Sequence, residues 1–184
     1  MMTAKPIKMA EIALQYAKYG WKVYPLVKNK KIPHWGSKGH LDASNDPDEV
    51  RELFLKYGAS SNIGLNLIDT EIVVLDIDLH HENKSGFDSL KEIEDAYGRL
   101  PETYTVATPR KGEHRYYRIP GLSMNWDLID FRSGLDVLGV KINAAHSTVT
   151  DENGEFIGSY KVKSGKITEL AELPKWFLDL IIQQ

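Results

Sequence analysis

Apolar and polar positions alternate with two periods along this chain, and the switches between them outline its elements. Over 8–19 (KMAEIALQYAKY), Ile12, Leu14, Tyr16 and several alanines fall at helical spacing, and Gly20 ends the run. WKVYPL then reads as a short strand. Residues 28–44 form a Lys- and Gly-rich loop. Asp46-Pro47 supplies an N-cap and a proline at the first helical position, which predicts a helix through about Tyr57. NIGLNL (62–67) and EIVVLDID (71–78) are β-rich; the second is nearly all apolar, as a strand buried on both faces should be. Residues 86–98 are amphipathic with helical period. TYTVAT and HRYYRI flank a PRKGE turn. Weaker strands are predicted near 128–132, 135–143 and 146–150. DENG makes a tight turn into FIGSYKV, and Pro174 opens a last helix. Mixed elements with an antiparallel second half predict the α+β class.

The 184 residues fit one domain, 1–184, or two tightly merged sub-modules. A hydrophobic share of 42% against 27% charged residues excludes a disordered chain. With no cysteine, disulfides and Cys-ligated zinc or iron–sulfur centres are excluded, which suits a reducing cytoplasm. No apolar run approaches the roughly 20 residues of a membrane span. The N-terminal stretch MMTAKPIKMAEIAL has no signal-peptide core.

The net charge of −3 hides an uneven distribution. Residues 1–40 carry eight lysines and one glutamate, whereas 41–100 carry fourteen acids and five bases. A basic segment and an acidic middle suit one face for phosphates and one pocket for a cation.

Candidate chemistry concentrates at three places. In Val73-Val74-Leu75-Asp76-Ile77-Asp78, strand alternation sets Asp76 and Asp78 on one face and Leu75 and Ile77 in the core. Paired carboxylates repel unless a cation lies between them, and such oxygen sites suit Mg²⁺ or Mn²⁺. A strand simply ending in a polar turn would look the same. His80 and His81, which follow, are the type of loop histidine that is more often solvated than ligating. In Gly112-Glu113-His114-Arg115-Tyr116-Tyr117-Arg118, His114, Tyr116 and Arg118 share a face, a set able to grip a triphosphate and stack on a sugar or base. Tyr116 or Tyr117 could gate the sugar, although strand aromatics usually serve packing. Asp130 and Asp136 are each candidates for a third carboxylate from a neighbouring strand.

In this order the pieces resemble the bifunctional DNA primase–polymerase N-terminal domain, a branch of the archaeo-eukaryotic primase superfamily. The resemblance covers about residues 8–162. It rests on the opening helix and strand ALQYAKYGWKVYPL, on Lys30-Lys31-Ile32-Pro33, and on the D-P-D-E-V helix leading into Asn62-Ile63-Gly64. It continues through Asp76-Ile77-Asp78, Thr108-Pro109 before Gly112-x-His114-x-Tyr116, and Leu135-Asp136-Val137-Leu138-Gly139. It implies an α/β unit packed on an RNA-recognition-motif-like antiparallel unit, with the active site between them.

The resemblance also implies residue roles. Asp76 and Asp78 resemble the paired metal-binding acids, Asp136 the third, and His114 the histidine that meets the incoming nucleotide's phosphates. Two Mg²⁺ or Mn²⁺ ions and a (d)NTP are then expected, and no zinc. Lys30, Lys31 and Arg110 are read as phosphate-holding bases from their charge alone. Leu138 stands where a base is usual, and VKINAAHS replaces the Gly-Gly-Tyr and Pro-Pro-Ser stretches, so Asp130 stays an alternative to Asp136. The expected activity is template-directed joining of nucleotides to a 3′-hydroxyl in DNA replication. Its partners would be a single-stranded DNA template, a primer and a helicase domain or protein, commonly in a mobile element, with no membrane. The other readings are a metal-dependent nuclease or phosphoesterase using the same D-x-D, and an inactive nucleic-acid- or nucleotide-binding module.

Overall fold

The computed structural model describes residues 8–184. The first seven residues, part of the stretch read above as lacking a signal peptide, lie outside them. The chain divides into two compact units. One comprises the chain through Asn66 with Asn143–Phe156; the other comprises Leu67–Ile142 with Ile157–Gln184.

In the first unit, helix α1 (Met9–Lys18) packs on α2 (Pro47–Tyr57) and on strand β1 (Lys22–Leu26). The buried face of α1 is Ala13, Tyr16 and Ala17, not the bulkier Ile12 and Leu14. Small alanines let the helix approach closely, and Tyr16 fills the remaining space. Asp46 caps α2 as expected, its side chain accepting from the amides of Asp48 and Glu49. β1 runs antiparallel to β2 (Asn62–Asn66), with Tyr24 opposite Gly64. A short 3-10 helix, Gly39–Asp42, lies inside the segment predicted as loop. Buried Asn62 ties this unit together: its side-chain amide donates to the carbonyls of Lys30 and Thr148, and its oxygen accepts from the Thr148 amide.

The second unit is built on β3 (Ile72–Ile77), followed by α3 (Gly86–Tyr97) and then β4 (Thr105–Ala107), β5 (Glu113–Arg118), β6 (Leu128–Arg132) and β7 (Leu135–Leu138). β8 (Lys141–Asn143) and β10 (Phe156–Ser159) fall where the chain passes between units and β9 (Thr148–Thr150) belongs to the first, while β11 (Lys161–Ser164), β12 (Ala171–Glu172) and α4 (Lys175–Ile182) complete the second. The sheet order is β11-β4-β5-β3-β7-β6, antiparallel throughout. The exception is β12, which adds parallel to β5 and went unforeseen because two residues carry no periodicity. The apolar run 135–143 divides into β7 and β8 because one carboxylate oxygen of Asp127 accepts the amides of both Gly139 and Val140. Val73, Leu75, Ile77, Tyr117, Leu135 and Val137 form the core on one sheet face, with Leu90 and Ile93 of α3 and Phe177 and Ile181 of α4. Full burial of each such side chain contributes about 1.5–3 kcal/mol. With helices and antiparallel strands both present, the fold is α+β.

Candidate active site

Strand registry assembles the site in the second unit. β3 lies between β5 and β7, and Asp76 sits opposite His114 on one side and Asp136 on the other. Opposed residues of neighbouring strands point to the same face. Since Leu75 and Ile77 occupy the core face, Asp76, His114 and Asp136 form a row across three strands on the opposite one.

His114 is almost wholly buried, with Nε2 3.4 Å from Asp76 Oδ1. Its ring tilts against the buried Tyr160 at 5.4 Å between centroids. Its Nδ1 has no hydrogen-bond partner. A buried ring nitrogen left unsatisfied costs about 1–3 kcal/mol, so it marks a place where a ligand atom would be welcome.

Asp78 is exposed just beyond β3, and its backbone is clamped on both sides. Its amide donates to the Gly134 carbonyl at 2.8 Å, and its carbonyl accepts from the Gly86 amide at 2.7 Å. That approach is possible only for glycine. A Cβ on Gly86 would lie 2.0 Å from the Gly134 oxygen, and Gly134 itself has φ +68°. Ser133 Oγ lies 2.9 Å from both His81 Nδ1 and the Lys84 carbonyl, pinning the 79–85 loop to the β6–β7 turn.

Asp130 occupies an irregularity between β6 and β7 with φ +51°. Its amide donates to Asp136 Oδ1 at 2.7 Å, and its carboxylate lies 3.6 Å from His81 Nε2. The structure thus brings both candidate third acids to the same place. Burial pushes the Asp136 carboxyl above the usual carboxylate range. The Asp130 amide opposes this, and the negative charges of Asp76, Asp130 and Asp78 add to it. Among the described residues, no three His, Cys, Asp or Glu side chains are already gathered closely enough to hold a metal ion. Carboxylate oxygens such as those of Asp76, Asp78 and Asp136 are the donor type that hard divalent cations take.

Of the other sequence candidates, Tyr116 shares the His114 face but is fully buried, its ring edge-on to Tyr104 at 5.0 Å. Arg110 is exposed in the β4–β5 turn, and His80 is exposed beside the acids. Lys30 and Lys31 belong to the first unit. Sequence reasoning missed Gly86, Ser133, Gly134 and Tyr160. Only Gly134 carried a signal, in the Ser-Gly turn between two short β runs.

Alternation along β5 puts Glu113 on the face opposite His114. There it is buried and paired with Arg115, at 2.8 Å, and with Lys163. A cleft of about 540 Å³ opens on that side, lined in part by Arg99, Glu113, Arg115 and Lys163. Burial alone would raise the Glu113 carboxyl, but the hydrogen bonds and charges of Lys163 and Arg115 outweigh it and hold the carboxyl below its ordinary range. A depressed folded value means stability that is present above the unfolded value and lost as pH falls through the folded one. Urea midpoints of Glu113→Gln should therefore lie below wild type at neutral pH, with the gap narrowing at acid pH. A gap independent of pH would contradict this pairing.

An α+β fold with two acids and a buried histidine aligned across three antiparallel strands has the candidate active site of an enzyme acting on charged substrates. Comparison with known families makes that class specific: the description "Bifunctional DNA primase/polymerase, N-terminal" matches residues 13–176, and the chain belongs to this family. The family is one of primase/polymerase-type nucleotidyltransferases, which act on DNA and nucleotides and are generally metal-dependent. A comparison with curated proteins found no match. No helix among the described residues is long and apolar enough to cross a membrane.

Proposed function

We propose that this chain is a template-directed DNA primase–polymerase catalytic domain, joining (d)NTPs to a 3′-hydroxyl during replication. The observation that supports this most is the registry that sets Asp76 opposite both His114 and Asp136 in a chain of this family. Asp76, Asp78 and Asp136 would hold two Mg²⁺ or Mn²⁺ ions, with Asp130 fixing Asp136 through its amide. Such ions, when bound, neutralise triphosphate charge and ease ionisation of the attacking hydroxyl.

The protein's own residues position and exclude. His114 presents its unpartnered Nδ1 to a phosphate oxygen, and Tyr160 holds its ring in place. Tyr116 packs beside His114 beneath the nucleotide, and Arg110 attracts its phosphates. The 3′-oxygen bonds to the α-phosphorus as the bond to the α–β bridging oxygen breaks. Pyrophosphate leaves, and the hydroxyl proton passes to solvent. Positioning and charge account for most of the rate.

Both compact units belong to one catalytic domain in this reading, since the family match spans both. The second is the RNA-recognition-motif-like unit; its antiparallel sheet with α3 and α4 on one face supports that. The activity belongs in the cytoplasm, coupled to a helicase domain or protein.

The test is a labelled primer–template incubated with dNTPs and Mn²⁺ or Mg²⁺, with and without chelator. Metal-dependent lengthening of the primer is expected. Shortening of the labelled strand would point to a nuclease, and an unchanged strand that is nonetheless bound would point to an inactive binding module.

A further inference from the structure

The segment between Glu11 and Asp42 contains no acidic residue and six lysines, in a chain whose net charge is −3. Lys28, Lys30, Lys31 and Lys38 fall in its Val27–Lys38 loop, and all four are exposed. None of them makes an ion pair among the described residues. In their midst stands Trp35, with 99% of its surface exposed, and Ile32 is also exposed. Tryptophan is among the side chains most buried on average, so a wholly solvated indole in a loop with four unpaired lysines calls for a partner.

The loop carrying it is not loose. The Val27 amide donates to the Ile32 carbonyl, the Lys30 amide to that of Val27, and the Ser37 amide to that of His34. The Lys30 carbonyl accepts from the buried Asn62. Asn29 is held through its side chain by Thr148 and through its carbonyl by the Thr150 amide. His34, the residue before Trp35, stacks on Tyr57 at 5.2 Å and lies 2.9 Å from Ser61 Oγ. The chain is therefore rigid up to the residue whose side chain touches nothing. Preorganisation of this kind reduces the ordering cost of binding.

We propose that the Val27–Lys38 loop is a docking site for single-stranded DNA, with Trp35 stacking on an unpaired base and Lys28, Lys30, Lys31 and Lys38 contacting the flanking phosphates. A ring face with cations beside it is the combination that holds a strand without reading its sequence. This rests on the polymerase reading only in the choice of DNA as partner. It assigns to Lys30 and Lys31 a strand of DNA in place of a free triphosphate.

The experiment measures binding alone, with no metal and no nucleotide. A fluorescein-labelled single-stranded oligodeoxynucleotide is titrated with the full chain and followed by anisotropy, over a range of salt. Trp35→Ala should weaken binding about tenfold, since one base–aromatic stack is worth about 1–3 kcal/mol. Trp35→Phe should recover most of the loss. Lys30→Ala/Lys31→Ala should lower the slope of log K against log salt by about 1.4, at about 0.7 per phosphate contact. Because the Trp35 side chain is fully exposed, its removal should leave the thermal midpoint unchanged, which separates lost contact from lost fold. Because the assay contains neither metal nor nucleotide, failure of the polymerase reading would leave this result standing. Equal affinity of Trp35→Ala and wild type would overturn the proposal, as would a wild-type chain that does not bind the strand.

Discussion

Asp76→Ala/Asp78→Ala should reduce primer extension by about a thousandfold or more, the scale of losing one strong electrostatic contact to a transition state. With no metal present the same variant should stay close to wild type in stability, because the lost Asp76 partner of the buried His114 Nε2 is offset by relieved repulsion. Its two carboxylates sit among Asp130 and Asp136, and their charges already push Asp136 upward, so removing them relieves repulsion. Adding Mn²⁺ should raise the wild-type melting temperature, because a ligand that binds only the folded state stabilises it, and should leave the variant unmoved. Full activity in the variant would remove these acids from the mechanism. Lost activity with an equal metal-induced shift in both proteins would place the ion elsewhere.

Gly86→Ala should be the most damaging single-methyl change near the site. The added Cβ would lie 2.0 Å from the Gly134 oxygen and 3.0 Å from the Asp78 nitrogen, and both are backbone atoms with nowhere to retreat. Overpacking of this severity costs about 3 kcal/mol. The Gly86 amide also holds the Asp78 carbonyl, so the separation of the strand end from the start of α3 must increase and Asp78 must shift. A displacement of about 1 Å in a positioning group lowers rate about a hundredfold. Urea unfolding, together with single-turnover extension at a temperature where the variant is fully folded, would separate the two effects. A variant with wild-type stability would show that this close approach is not required.

The row of acids was legible in the sequence as far as strand period reaches. Alternation alone set Asp76 apart from Leu75 and Ile77, and the structure keeps that division. It could not supply which strand lies beside which. That Asp136 meets Asp76 across β3 and β7, while Asp130 reaches Asp136 only through its amide, follows from pairing between distant segments. The Gly86–Gly134 approach is of the same kind: a contact 48 residues apart leaves no trace in either local sequence beyond two glycines. In α1, helical spacing alone did not say which of its apolar residues turn inward. Ala13 and Ala17 face inward because closeness to the sheet and α2 matters more there than side-chain size. Trp35 shows the complementary limit, since an aromatic residue in a basic loop reads equally as core or contact until its exposure is known.

The account stands most directly on single-nucleotide addition to a primer across from each of the four template bases, with each dNTP offered alone in the presence of Mn²⁺. It predicts that the wild-type chain adds the nucleotide complementary to the template base, and that Asp76→Ala/Asp78→Ala adds none. Addition of the same nucleotide whatever the template, or addition undiminished in the variant, would contradict a template-directed centre built on these acids.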